Sequence, residues 1–292
     1  MLYTTGTQIE PLIKRFQEKY PFINVEQLRV DPQQAASRAM QEYAGGLHAV
    51  DGFELTSFSL APLRAQKMLA PIASPELAAF TEGAIGPDRE WIVVRESYAG
   101  VGYNPTKLSA AEAPKTYADL LDPKWQGKMA IIDTSTSVAL VAAMDIQSGA
   151  DFVRKFRSQR VRIHNITARA LANFVISGEV PLSPTIYNSH VIASKAVGQP
   201  IEWIAPGPVV VNDSAVAVAA RAPHPHAMML LADFFLSPEG QEMYVKLGYN
   251  SPRRDKQTSE DRGLKKIYLS SLPDFEAKYE RWTRLFEETF QR

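Results

Sequence analysis

Apolar positions along this chain follow two spacings that take turns, one suited to strands and one to helices. Leu2-Tyr3-Thr4-Thr5-Gly6 reads as a strand running into a turn, after which Ile9, Leu12, Ile13, Phe16 and Tyr20 share one helical face until Pro21 stops it. Ile23–Val30 alternates as a strand. A helix is predicted from Asp31-Pro32 through Tyr43, ended by Gly45-Gly46. Val50–Leu55 reads as the next strand and Leu60–Lys67 as a short helix. The stretch 98–105, Tyr-Ala-Gly-Val-Gly-Tyr-Asn-Pro, reads as a strand that leaves this first series.

A second series follows. Met129–Ile132 is predicted as a strand, Thr136–Gln147 and Asp151–Phe156 as helices, Val161–His164 as a strand and Thr167–Ile176 as a helix ended by Gly178. Val180–Tyr187 and Ile201–Ala205 read as strands, and Pro206-Gly207-Pro208 is a sharp break. Val209–Val211 and Ser214–Ala219 are apolar strand segments, with Asn212-Asp213-Ser214 either turning the chain between them or supplying a polar contact. Helices are predicted at His226–Leu236, Pro238–Leu247 and Phe275–Phe290. Repeated strand–helix units argue for an α/β fold with a mostly parallel sheet covered by helices. No internal repeat or low-complexity tract interrupts them.

Composition narrows the function classes. At 292 residues the length suits about two domains. Lys+Arg and Asp+Glu are both 32, so the net charge is zero and neither a nucleic-acid surface nor a polybasic membrane patch is indicated. The longest apolar runs, such as Ala215–Ala220, are too short to span a bilayer. Cysteine is absent, which removes disulfides, thiolate metal sites and a cysteine nucleophile. No phosphate-binding Gly-rich loop and no nucleophile elbow is present. Asp51 and Glu54 fall out of phase for an acid/base pair, and His224-x-His226 without a carboxylate is a poor metal motif. No catalytic constellation emerges, and no cofactor is expected.

The residues that carry more information are blocks. Ala113-Pro114-Lys115-Thr116-Tyr117-Ala118-Asp119 leads into Leu120-Leu121-Asp122-Pro123-Lys124-Trp125-Gln126-Gly127-Lys128 and the strand Met129–Ile132. With the opening Leu2–Gly6, the segment Arg38–Gly46, the Gly178-Glu179-Val180-Pro181 step to Tyr187, and Ala215–Val218 followed by Ala222–Ala227 and Phe234–Gln241, these blocks stand in one order across most of residues 1–255. They resemble the extracellular solute-binding proteins of ABC importers, in particular the group of ferric-iron binders and their organic-ligand relatives. The resemblance implies a two-lobe periplasmic-binding-protein architecture of type II. The first lobe would be 1–97 plus 212–292 and the second 98–211, joined by two crossings near 98–104 and 205–212. It implies hinge closure on a solute held in an interlobe cleft, no enzymatic activity, a monomer, and ABC permease membrane subunits as partners. It also implies work in the periplasm or outside the cell; no secretory leader opens the chain, so one would have been removed.

Residue by residue, the resemblance makes Tyr187 a ligand contact, although a strand tyrosine can equally belong to the core or rim. Thr4, Thr5 and Gly6 stand before a helix, where backbone N–H groups favour anions or simply cap it. Tyr3 is read either as stacking on solute or as ordinary packing, and Thr56 and Ser57 as the first lobe's contacts. Thr134-Ser135-Thr136-Ser137 puts four hydroxyls at a strand-to-helix step where one cap suffices, and Thr134, Ser135 and Thr136 are candidate donors to an oxyanion. Arg169 is a candidate anion clamp or a surface ion pair, and Asn212 a candidate polar contact. Ferric members of the family use adjacent tyrosines, often with a turn histidine and an acidic residue. Here Asn188-Ser189-His190 follow Tyr187, Thr7 stands near the histidine's place and Thr56 near the acid's. The expected cargo is therefore a small polar or anionic organic solute, with ferric iron the alternative and an enzyme on the same scaffold a second one.

Overall fold

The computed structural model describes residues 1–5 and 9–291. The chain starts with β1 (Leu2–Thr4), α1 (Glu10–Lys19), β2 (Gln27–Arg29), α2 (Pro32–Ala44), β3 (Gly52–Leu55), α3 (Ser57–Ala65) and β4 (Leu69–Ala70). The long β5 (Ile92–Tyr103) leads to β6 (Ala130–Ile132), α4 (Ser135–Ser148), α5 (Ala150–Arg154), β7 (Arg162–His164), α6 (Ala168–Ser177), β8 (Leu182–Tyr187), α7 (Asn188–Lys195) and β9 (Glu202–Ile204). A second long strand, β10 (Val209–Ala219), precedes α8 (Pro225–Leu236), α9 (Pro238–Lys246), α10 (Ser259–Gly263), β11 (Lys266–Ile267) and α11 (Phe275–Phe290). Contacts divide this chain into two units, Met1–Glu96 with Asp213–Asp261, and Ser97–Asn212 with Arg262–Arg292. Two of the three boundaries fall inside the long strands β5 and β10.

In the first unit β2, β1 and β3 pair in parallel, as their helical crossovers require, and β10 then returns antiparallel against β3 with Ala217 opposite Phe53. The sheet is therefore mixed. Helix α1 buries Leu12, Ile13 and Phe16, the predicted face. Helix α2 begins where Asp31-Pro32 suggested, because the Asp31 carboxylate accepts from Gln33 N and Gln34 N. Gly52 allows β3 its close approach to β10, since a Cβ there would stand 2.6 Å from Ala217 O.

In the second unit β8 and β9 pair antiparallel with β5, and β6 pairs in parallel with β7. Helix α4 is buried along most of its length, including Val138, Leu140, Val141 and Met144. Helix α7 was not anticipated, because its segment opens on Asn188-Ser189-His190 and lacks a periodic apolar face, and neither was the five-residue α10. Residues 209–219 form one strand rather than two segments around a turn. The polar trio stays extended because Asp213 and Ser214 find partners indoors while Asn212 faces water.

The last part of the chain departs from expectation. Residues 262–292 belong to the second unit, not to the first. The reason is the apolar face of α11, where Trp282, Leu285 and Phe286 join the core that contains Val138, Val141 and Met144 of α4. Trp282 Nε1 donates to Asp145 Oδ2 at 2.9 Å, and Arg281 binds the same carboxylate oxygen.

Candidate functional site

The first unit's candidates gather at the C-terminal ends of β1 and β3, where open α/β sheets place ligands. Most of their side chains already have partners within the unit. Tyr3 is buried, its ring edge-on to Phe53 with centroids 6.1 Å apart, and its hydroxyl donates to Glu42 Oε2 at 2.6 Å. Burial first, then the bond to Glu42, push that phenol up to about 12. Of the two readings of Tyr3, packing is the one its surroundings match. Thr4 is buried and its Oγ1 donates to Glu54 Oε2 at 2.6 Å. The other oxygen of Glu54 accepts from Ser214 Oγ, with Arg95 Nε 3.6 Å away. Glu54 thus takes up the one proton of the Thr4 hydroxyl. Thr5 is half-buried, and Gly6, like Thr7, lies outside the described residues.

At the start of α3, Thr56 is the N-cap and accepts from Ser59 N. Ser57 is buried against Asp213: its N–H donates to Asp213 Oδ1 at 2.9 Å and its hydroxyl to Oδ2. The start of α3, read as a first-lobe contact, thus holds a carboxylate of the chain itself. Burial, with Glu96 adding to it, raises the Asp213 carboxyl to about 6, against the pull of the Ser57 donors and Arg95.

The second unit keeps more of its polar groups available. The four hydroxyls at the start of α4 divide their work. Thr134 is the cap, accepting from Thr136 N, and Ser137 is buried and donates to Ile132 O at 2.5 Å. Ser135 is exposed and has no hydrogen-bond partner among the described residues. Thr136 is buried, and its Oγ1 lies 2.7 Å from the Tyr187 hydroxyl. Two hydroxyls carry two protons, and their mutual bond uses one; the second proton and the spare lone pairs can address a third group. Tyr187 ends β8 and is half-buried; burial pushes its phenol up, with the Thr136 bond pulling the other way. The ring planes of Tyr187 and His190 stand at 90°, centroids 5.5 Å apart.

Arg169 is exposed on α6. Its Nη1 donates to His190 O and Ser194 Oγ, both at 3.1 Å, which ties α6 to α7. Its Nε and Nη2 have no partner among the described residues. Asn212 is exposed within β10. Thr134, Ser135, Thr136, Tyr187 and Arg169 thus share the second unit, with Thr136 and Tyr187 in direct contact. Sequence reasoning missed Glu42, Glu54, Asp213 and His190 as partners of the candidates. The one usable signal was a polar pair, Asp213-Ser214, beside an otherwise apolar strand. A first-unit cavity of about 360 Å³, lined by Leu2, Phe22, Ile23, Val25, Asp51, His224 and Met228 among others, contains none of the candidate residues.

The chain is similar to several known proteins. A family model described as bacterial extracellular solute-binding protein matches residues 55–274. Iron uptake protein A1 of Synechocystis sp. is 26% identical over 183 residues, 57% of this chain and 51% of the relative, so the match spans about half the relative's length. Iron-bound HitA from Pseudomonas aeruginosa is similar in structure with a TM-score of 0.79 at 23% identity, covering 99% of this chain and 98% of HitA. AfuA from Actinobacillus pleuropneumoniae, with fructose-6-phosphate bound, gives 0.74 at 20% identity, covering 99% of this chain and 98% of AfuA. These two structures share the fold with the present chain and differ from each other in what they hold.

Proposed function

Since the chain belongs to the bacterial extracellular solute-binding proteins, which serve ABC importers, we propose that its cargo is a small polar or anionic organic solute held at the Thr136–Tyr187 pair. The observation that carries this reading is the 2.7 Å contact between those two hydroxyls, beside an exposed, unpartnered Ser135 at the start of a fourteen-residue helix. Such a group offers several donors to one acceptor-rich ligand. Arg169 adds a guanidinium with free N–H groups on a neighbouring helix of the same unit. Thr5, Thr56 and Asn212 are secondary candidates, to be tested by substitution. The reading includes no chemical step: the protein binds, and permease subunits receive the solute.

Ferric iron is the second reading, and the names of the relatives favour it. The local chemistry supports it less. A phenol pushed up by burial is a neutral hydrogen-bonding group at neutral pH, and Asn188 and Ser189 follow Tyr187 where a second phenol would be needed. Native mass spectrometry of freshly purified protein, with elemental analysis of the same sample, separates the two. A co-purified organic mass without stoichiometric metal is the expected result. Stoichiometric iron, with the purple-red colour of an iron–tyrosinate charge-transfer band, would overturn the organic reading.

A further inference from the structure

We infer that His190 is a positioning residue, whose ring braces Tyr187 so that the phenol meets Thr136. The inference deepens the proposed function, and its consequence for solute binding rests on that reading. His190 stands one helical turn after Tyr187, on α7, so the two side chains meet on one face. Their rings are perpendicular with centroids 5.5 Å apart, a preferred arrangement for neighbouring aromatic rings. The tyrosine cannot tilt toward α7 without striking the imidazole. On its other side the Tyr187 oxygen reaches Thr136 Oγ1 at 2.7 Å.

The brace is itself fixed. Arg169 Nη1 donates to the carbonyl of His190 and to Ser194 Oγ, both at 3.1 Å, so the turn that carries the imidazole is fastened to α6. His190 Nδ1 is buried and has no hydrogen-bond partner among the described residues. A buried, unsatisfied ring nitrogen is costly, and an aliphatic side chain would avoid it but would present no ring face to Tyr187. Burial first, and the Arg169 charge next, hold the imidazole down at about 4, against a backbone hydrogen bond with Ala168. The groups facing it are thus Arg169 on α6 and Tyr187 at the end of β8. At neutral pH the ring is uncharged and its bracing does not vary with protonation.

The test uses the full chain without solute, so it stands or falls separately from the identity of the cargo. Tyrosine rings are labelled with carbon-13, and the Tyr187 resonances are assigned by their loss in Tyr187→Phe. In the wild type these resonances should stay flat from pH 8 to pH 5; a titration midpoint between pH 6 and 7 would overturn the neutral, buried brace. His190→Ala should shift them and bring the Tyr187 phenol back down toward the ordinary range of a tyrosine. His190→Phe should restore both. Unchanged Tyr187 resonances in His190→Ala, or a phenylalanine that fails to restore them, would overturn the inference. A purely structural histidine would alter melting temperature in both variants without this ring-dependent recovery.

Discussion

Asp213 offers the sharpest test of the physical account. Its carboxylate is buried in the first unit and receives both the N–H and the hydroxyl of Ser57, yet desolvation wins and the carboxyl is raised from 3.8 to about 6. The folded state therefore binds this proton more tightly than the unfolded chain does. The stability associated with the protonated form is fully present below about pH 3.8 and is lost as pH rises through about 6. A rise of roughly two pKa units corresponds to about 3 kcal/mol at neutral pH. Asp213→Asn mimics the protonated acid: its amide oxygen can still accept from Ser57 N–H, and its NH₂ can donate to Ser57 Oγ. The variant should match the wild type near pH 4 and exceed it by up to about 3 kcal/mol at pH 7. Urea titrations at intervals between those pH values, with the two proteins compared at each, measure the difference directly. A difference that does not change with pH, or a variant clearly less stable at pH 7, would refute the argument that burial outweighs the Ser57 bonds.

Other expectations concern the second unit. Thr136→Val and Tyr187→Phe should each lower affinity for the co-purified solute about tenfold, roughly 1.4 kcal/mol, with the melting temperature changed by only a few degrees; titration calorimetry in which neither loses affinity would reject the site. Ser135→Ala should weaken binding and leave the melting temperature alone, whereas Thr134→Ala, which removes the cap of α4, should cost about 1 kcal/mol of stability with or without solute. Trp282→Ala should destabilise the protein by about 3–5 kcal/mol, since the ring is 1% exposed and packs with the α4 core; chemical denaturation showing less than 1 kcal/mol would contradict the assignment of residues 262–292 to the second unit.

The alternation of strands and helices was legible because it rests on local spacing. The start of α2 at Asp31-Pro32 and the apolar face of α1 are decided within a few residues. What was not legible depends on partners far along the chain. Thr4 looks like an available hydroxyl until Glu54, fifty residues later, is brought against it, and Ser57 looks like a free first-lobe contact until Asp213 arrives from β10. The hydroxyl run 134–137 was recognised as exceeding the needs of a cap. Which members were surplus became clear only when Ser137 was seen bonded to the preceding strand and Thr136 to Tyr187. Helix α7 was missed because a polar opening masks it, and α11 was misplaced because an amphipathic face does not name the surface that it covers.

That final helix has a consequence for how the protein is made. The second unit closes its core with residues that come after every part of the first unit: Trp282, Leu285 and Phe286 complete the cluster around α4. The first unit has all its parts once residue 261 has been translated. Translation at about 5–20 residues per second therefore supplies every part of the first unit before the helix that covers the apolar side of α4. That interval is when a chaperone has most to protect. A stop codon after residue 261 should yield an intact first unit joined to an aggregation-prone second one, rather than a chain that is uniformly unfolded.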